Sequence, residues 1–166
     1  RPLEVVRAFR AIAAEVPRAS LTIVGDGPLE SAVAREARLM SDRITLVRRL
    51  EGEQLSAMYT SADILVVPSV REVWGLVVNE ALAHGLYVIA TDEVSSALDL
   101  VREDSGSIVP AGDHGALVRA MLHAALGVPV DSAARSRRRQ TVDHCTPAAF
   151  ANDIYRAARA AWGEMP

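Results

Sequence analysis

Apolar positions along the chain follow two alternating spacings, one typical of amphipathic helices and one typical of short buried strands. Between Leu3 and Val16 they recur every three or four residues, which predicts a helix that ends near Pro17. The next apolar run, Leu21–Val24, is cut off by Gly25 and predicts a strand. The same alternation predicts strands at 44–47, 64–67, 87–90 and 107–109, and helices at 29–40, 54–60, 76–83, 98–101, 116–125, 135–140 and 147–162.

Strands that alternate with helices favour one fold class, a parallel sheet with helices on both faces. We therefore predict a Rossmann-like, doubly wound α/β domain over residues 1–166, with a helical tail that starts near Asp113. Such a sheet binds ligands beyond the carboxyl ends of its strands. Doubly wound nucleotide-binding domains commonly begin with a strand, whereas this chain opens on a helix, so we expect the first strand to lie outside the sequence.

Composition narrows the classes of function. Half of the 166 residues are apolar, enough for a sizeable core, and the net charge of −3 gives no global attraction for nucleic acid. All 18 basic residues are Arg, and a chain without Lys cannot host a Walker A phosphate loop or a Schiff-base lysine. A lone Cys145 and four scattered His predict no metal site. With neither an apolar run of about 18 residues nor a secretory signal, the expected location is the cytoplasm.

One stretch of the chain concentrates basic charge. Arg135, Arg137, Arg138 and Arg139 recur at helical spacing, and Asp131 stands nearby. Such a run is usually a solvated helix face, which is the interpretation that we favour. Peripheral contact with a membrane surface is the alternative.

The segment 68–81 carries the clearest candidate chemistry. If its helix starts near Gly75, the unpaired N–H groups of the first turn and the positive end of the helix dipole face the ligand crevice, where they can hold a diphosphate. Glu72, on the preceding loop, can reach a hydroxyl-rich group beyond the phosphates. Glu80 lies about 8 Å beyond Gly75 along the helix, at 1.5 Å per residue. Its carboxylate can accept hydrogen bonds from a ribose diol.

Several motifs occur in a fixed order along the chain. They are Val24-Gly25-Asp26-Gly27-Pro28, the E-x7-E pattern of Glu72 and Glu80, the Trp74-Gly75-Leu76-Val77 core, and Gly85-Leu86-Tyr87-Val88-Ile89-Ala90-Thr91-Asp92. This set closely resembles the C-terminal domain of glycosyltransferase family 4, over roughly Leu3 to Leu126. The resemblance implies half of a GT-B fold, which holds a nucleotide-sugar donor and transfers the sugar with retention, without a metal or other cofactor.

The resemblance also assigns roles to individual residues. Glu72 would be the catalytic residue that binds the donor sugar hydroxyls, and Glu80 would bind the ribose. Residues 47–50 would flank the nucleobase of a UDP- or GDP-linked sugar. The remaining donor-binding candidates are Gly25, Gly27, Arg48, Val73, Trp74, Gly75, Leu76 and Val77.

An N-terminal acceptor domain is the partner that the resemblance implies. In the family, that domain supplies much of the active site, and an Arg and a Lys neutralise the diphosphate. We find neither the domain nor the basic pair in this sequence, so we expect the chain alone to bind donor weakly and to transfer nothing. Two departures from the family pattern lie near the expected phosphate crevice or its supporting strand: Tyr87 replaces a Pro, and Ser95-Ser96 replaces part of a Gly-containing segment.

Other functions remain open at this point. Gly25 and Gly27 followed by Arg48 and Arg49 mimic an NADP-binding fingerprint, although Glu30 occupies the position of the third Gly. A nucleotide-sugar epimerase of similar architecture, which is an isomerase, would fit the same fold. So would a non-catalytic module that binds sugar nucleotides.

Overall fold

A computed structural model describes residues 1–146 and, beyond them, Tyr155, Arg156 and Arg159. The predicted helix at 147–162 lies outside the described residues except for those three, which are helical. A 3-10 turn, Arg38–Met40, continues the second helix. In chain order the elements are α1 (Pro2–Ile12), β1 (Leu21–Val24), α2 (Glu30–Ala37), β2 (Ile44–Val47), α3 (Gly52–Ser61), β3 (Ile64–Val67), α4 (Leu76–Ala83), β4 (Tyr87–Thr91), α5 (Ser95–Leu100), β5 (Gly106–Val109), α6 (His114–Gly127) and α7 (Ser132–Gln140).

Helix α1 ends at Ile12, about one turn before the predicted end near Pro17. Pro17 has no N–H, so a longer helix would leave the Ala13 carbonyl without its backbone donor, and a distant side chain takes that place. Arg43 donates from Nη1 to the Ala13 carbonyl at 2.8 Å and from Nε to the Ala19 carbonyl at 2.9 Å, and its guanidinium lies 5.2 Å from the centroid of the Phe9 ring. The bond from Nη1 of Arg43 supplies the donor that the Ala13 carbonyl lacks just beyond the end of the helix.

All strand pairs in the described residues are parallel, as the alternation of elements predicts. Leu21 of β1 lies opposite Ile44 of β2, and β4 pairs with β3 on one side and β5 on the other. The pairs form two sheets, one of order β1-β2 and one of order β3-β4-β5.

Side chains of β4 alternate between two apolar clusters. Tyr87 and Ile89 pack into the cluster formed with α1 and α6, whereas Val88 and Ala90 pack with residues of α4 and α5. Both faces of the three-stranded sheet are therefore covered by helices. This arrangement confirms the doubly wound α/β class.

The two sheets share a core although they are not hydrogen-bonded to each other. Ile23 of β1 and Ile64 of β3 both pack against the cluster that includes the buried side chains of Val6 and Phe9 in α1. In a doubly wound sheet of order 3-2-1-4-5-6, the first strand lies between the strands that correspond to β1 and β3. The break thus falls where the missing first strand is expected, and that strand stays a prediction.

Helix α7 is only in part the solvated basic face that its sequence predicts: Arg137 and Arg139 are exposed, whereas Arg138 is buried and Arg135 is half-buried. Arg138 is only 2% exposed: its guanidinium donates to the carbonyls of Pro129, Gly85 and Asp104 and lies over the ring of Tyr87. Arg135 is bonded to the Ala62 carbonyl and to Asp63. The prediction was wrong for Arg135 and Arg138, because these two side chains reach inward to carbonyl groups next to the sheet.

Burial lowers the pKa of Arg138 below its ordinary value. No helix within the described residues has the length and apolar character needed to cross a bilayer.

Arg138→Ala should lower the free energy of unfolding by about 2–4 kcal/mol, because three backbone carbonyls lose a donor in a buried position. The exposed neighbour Arg137 is the matched control, and Arg137→Ala should change the free energy by less than about 0.5 kcal/mol. Urea unfolding followed by circular dichroism measures both. Equal effects of the two substitutions would contradict the anchoring role of Arg138.

Candidate functional site

The loops that follow the strands meet at one edge of the molecule, since the carboxyl ends of parallel strands point the same way. The loop after β3, residues 68–75, is the longest of those that lead into a helix at this edge. It delivers the chain into α4, whose first residue is Leu76 as the sequence predicts.

Gly75 allows the chain to enter α4 at this angle. Its backbone is left-handed, with φ 86° and ψ 64°, a conformation that side chains with a Cβ rarely adopt. A Cβ at this position would lie 2.8 Å from Cγ1 of Val94 and 3.2 Å from Cγ of Glu72. Both the conformation and the space therefore require glycine.

The loop before α4 is bonded to the loop between β4 and α5. The N–H of Glu72 donates to the carbonyl of Glu93 at 3.1 Å, and the N–H of Ser96 donates to the carbonyl of Trp74 at 2.9 Å. The fully buried hydroxyl of Ser96 donates to the Gly75 carbonyl, also at 2.9 Å. Ser96, a departure from the family pattern, thus supports the turn that opens α4.

Backbone donors at the start of α4 face outward. Helix geometry leaves the N–H groups of Leu76 and Val77 without intrahelical acceptors, while the N–H of Val78 already bonds to the Gly75 carbonyl at 2.9 Å. The side chains of Leu76 and Val77 are exposed. Together with the positive end of the helix dipole, these donors can bind an anion.

The two candidate carboxylates lie on either side of this helix start. Glu72 is half-buried on the loop, where it forms a parallel bridge with Val94. Glu80 is exposed in the second turn of α4, and its Oε2 accepts a hydrogen bond from the hydroxyl of Tyr59 at 2.9 Å. The E-x7-E pattern therefore spans the loop and the first two turns of the helix.

Val73 and Trp74 expose their side chains beside the same helix. Val73 is 89% exposed, and the Trp74 indole N–H donates to Oδ1 of Asn79 at 3.0 Å on the surface of α4. Neither side chain belongs to the core, so any role for these residues in packing is local to the site.

The remaining candidates lie on the other sheet. Gly25 and Gly27 follow β1 with φ values of 132° and 148°, and a Cβ at either position would meet nothing within 4 Å. Arg48 follows β2 and is exposed, while its neighbour Arg49 pairs with Glu51 at 3.0 Å. The structure thus brings together residues 72–80 and places these three candidates at the same edge beyond a break in the sheet.

Two further residues were not predicted from the sequence. Tyr59 on α3 contacts Glu80 on the neighbouring helix α4, and nothing in the residue spacing of α3 predicts that contact. Arg1 lines a small cavity with Pro68 and Thr91 at the carboxyl ends of β3 and β4. An Arg at the start of a helix is disfavoured by the helix dipole, which is the signal that could have marked it.

In the part of the chain that the structure describes, no group of three or more His, Cys, Asp or Glu side chains is arranged to hold a metal ion.

Comparison with known proteins identifies the family. The family model described as Glycosyl transferases group 1 matches residues 3–126, which is more than half of the chain. The chain belongs to this family. The prediction made from the E-x7-E pattern and its neighbouring motifs is confirmed at that level.

Curated relatives are similar over part of their length. The chain is 32% identical over 123 residues to the D-inositol 3-phosphate glycosyltransferase of Mycolicibacterium smegmatis. This match covers 69% of this chain and 28% of that protein. It is 33% identical over 96 residues to the sulfoquinovosyl transferase SQD2 of Arabidopsis thaliana, and that match covers 58% of this chain and 18% of the relative. The chain thus spans between 18% and 28% of the length of these two group 1 relatives.

Solved glycosyltransferase structures share the fold. Sucrose-phosphate synthase from Thermosynechococcus elongatus superposes with a TM-score of 0.64 at 28% identity, over 94% of this chain and 42% of that one. The pneumococcal O-GlcNAc transferase GtfA, solved in complex with UDP and GlcNAc, gives a TM-score of 0.75 at 21% identity, over 84% of this chain and 29% of that one. The group 1 chain therefore has the architecture found in GT-B glycosyltransferases.

Gly75→Ala should destabilise the chain by about 1–3 kcal/mol, because it forces a side chain into a left-handed backbone and against Val94. Gly127→Ala is the matched control: it lies at the end of α6 with nothing within 4 Å of its Cβ, and it should be neutral or slightly stabilising. Thermal unfolding compares the two variants. A Gly75→Ala protein as stable as the parent would show that the turn tolerates a side chain.

Proposed function

We propose that this chain is the donor-binding domain of a glycosyltransferase that moves a sugar, with retention of its anomeric configuration, from a nucleoside-diphosphate sugar to an acceptor. The observation that carries the proposal is the open N-terminus of α4, which lies between the carboxylates of Glu72 and Glu80. Membership of the group 1 family supports sugar transfer.

The start of α4 suits a diphosphate. The N–H groups of Leu76 and Val77 and the dipole of the helix offer neutral donors and partial positive charge in one place. GtfA, which shares the fold, was solved with UDP bound, and this supports a nucleoside diphosphate as the ligand class here.

The two carboxylates suit the two ends of such a donor. A carboxylate accepts hydrogen bonds from adjacent hydroxyls and repels phosphate, so an acid on each side of the amides selects hydroxyl groups at both ends of the diphosphate. Glu72 would orient the sugar hydroxyls, and Glu80 would bind the ribose diol. The nucleobase would lie near residues 47–50, beside Arg48.

In the reaction that follows from this arrangement, the bond between the anomeric carbon and the diphosphate oxygen breaks. The leaving diphosphate gains negative charge, which the α4 amides would stabilise, while the sugar gains oxocarbenium character. The acceptor oxygen then bonds to the anomeric carbon on the face that the diphosphate leaves, and the proton of that hydroxyl passes to the leaving diphosphate.

The break between the sheets supports the expectation that a further strand belongs to this domain. β1 and β3 each have an edge without a strand partner in the described residues, and both pack under α1. We infer that an extended segment of the full protein pairs between them, and that an acceptor domain completes the active site.

Peripheral contact with a membrane surface is a further proposal, which the exposed side chains of Arg137 and Arg139 support.

A calorimetric titration with UDP, GDP, ADP and NADP tests the proposal. One nucleoside diphosphate should bind saturably, and Glu80→Ala should weaken it at least several-fold, because a hydrogen bond to a charged group contributes about 1.5–3 kcal/mol. Glu72→Ala should leave that affinity unchanged and weaken only the corresponding nucleotide sugar. Glu103→Ala, on the exposed loop before β5 and so at the opposite edge, is the control and should change neither affinity.

Three outcomes would contradict the proposal, and the first two would favour other functions. NADP binding without diphosphate binding would favour a dinucleotide-binding module. Inversion of a sugar centre with no acceptor present would identify an epimerase. A Glu80→Ala variant that binds as tightly as the parent would show that the E-x7-E pattern is not the donor site.

A further inference from the structure

A buried tyrosine points at the exposed carboxylate of α4. Tyr59 is 8% exposed within α3, and its hydroxyl donates to Oε2 of Glu80 at 2.9 Å. Burial, and next the hydrogen bond to Glu80, raise the pKa of Tyr59 above its ordinary value. The phenol therefore keeps its proton at neutral pH and acts as the donor in this bond.

The ring of Tyr59 is held from behind by His84. The two rings are stacked with their centroids 5.2 Å apart and their planes at 27°. Nδ1 of His84 lies 2.7 Å from the carbonyl oxygen of Glu80, and Nε2 lies 3.0 Å from Oγ of Ser56. Since a carbonyl only accepts, Nδ1 carries the hydrogen and, in the neutral ring, Nε2 accepts from Ser56.

These contacts tie one carboxylate to two helices. The backbone of Glu80 is bonded to His84, which in turn contacts α3 through Ser56 and Tyr59. The side chain of Glu80 is bonded to Tyr59 directly. A glutamate on a helix surface ordinarily samples several rotamers, and these bonds select one of them.

One hydrogen bond leaves the carboxylate with capacity for a ligand. An ionised carboxylate has about four acceptor positions on its two oxygens, and Tyr59 uses one position on Oε2. Among the residues that the structure describes, no other group is bonded to this carboxylate, so Oε1 and the rest of Oε2 remain available to a ligand. A pair of adjacent hydroxyls could be bound there without displacing Tyr59.

We propose that Tyr59 is a positioning residue for recognition of the ribose: it fixes the Glu80 carboxylate in the orientation that accepts both hydroxyls of the nucleotide diol, and His84 holds the tyrosine ring in place. The proposal rests on the proposed function, in which Glu80 binds the ribose. Tyr59 itself would not touch the ligand.

The test compares nucleotides that differ only in the diol. The parent chain and its Tyr59→Phe variant are titrated with the diphosphate that binds the parent and with its 2′,3′-dideoxy form. Tyr59→Phe should weaken the ribonucleotide by about three- to tenfold, in line with the loss of orientation by one charged acceptor. It should leave the affinity for the dideoxy form unchanged, so the ratio of the two affinities should fall by the same factor.

Two further variants separate positioning from packing. Tyr87→Phe removes a different buried tyrosine hydroxyl, which bonds to Ser107 and not to the site, and it should not change the ratio. In a Glu80→Ala background, Tyr59→Phe should have no further effect on the ratio, because the group that it orients is gone. Circular dichroism and thermal unfolding establish that each variant is folded.

Each result bears on one claim. The positioning role would be overturned if Tyr59→Phe weakened both nucleotides equally or weakened neither. If Glu80→Ala lowered the ratio of the two affinities and Tyr59→Phe did not, the proposed function would still stand. Should Glu80→Ala itself leave the ratio unchanged, or should no nucleoside diphosphate bind the parent at millimolar concentration, the proposed function would fail and the positioning role with it.

Discussion

The arrangement of the candidate site depends on the turn at Gly75. A left-handed residue at this point ends the loop after β3 and starts α4 in a direction that exposes its first amides at the carboxyl edge of the sheet. Ser96 fixes this turn, because its hydroxyl donates to the Gly75 carbonyl and its N–H donates to the Trp74 carbonyl. A shift in this contact would move the amides and Glu72 together, because both belong to the same bonded segment.

Helix α4 shows that local sequence signals can predict the bounds of a helix. Its bounds were predicted from Gly75 before it and Gly85 after it, and both glycines have left-handed backbones that end or begin the element by local rules. The end of α1 could not be predicted in this way. No local signal marks Ile12 as its last residue, and the Ala13 carbonyl just beyond it is bonded by Arg43, about thirty positions away, only in the folded chain. The burial of Arg138 follows the same logic, since Gly85 and Asp104 come next to it through tertiary packing.

The candidate site divides along the same line. Glu72, Glu80 and the first turn of α4 are near one another in sequence, so their motif and their place on a strand–loop–helix unit predict their juxtaposition. Tyr59 joins Glu80 from another helix, and a tyrosine on an apolar helix face reads from sequence as a core residue. It is both: its ring packs in the cluster beneath α4, and its hydroxyl extends from that cluster to an exposed carboxylate. A core position can therefore set the geometry of a surface group.

The most direct test of this account is a map of amide chemical shifts on the ¹⁵N-labelled chain as a nucleoside diphosphate is added. If the start of α4 holds the diphosphate, the largest changes should fall on the N–H groups of Gly75, Leu76 and Val77, because these donors would enter the new hydrogen bonds. Changes centred on Gly25 and Gly27, with the amides of α4 unmoved, would contradict the account and place the phosphates at the end of β1.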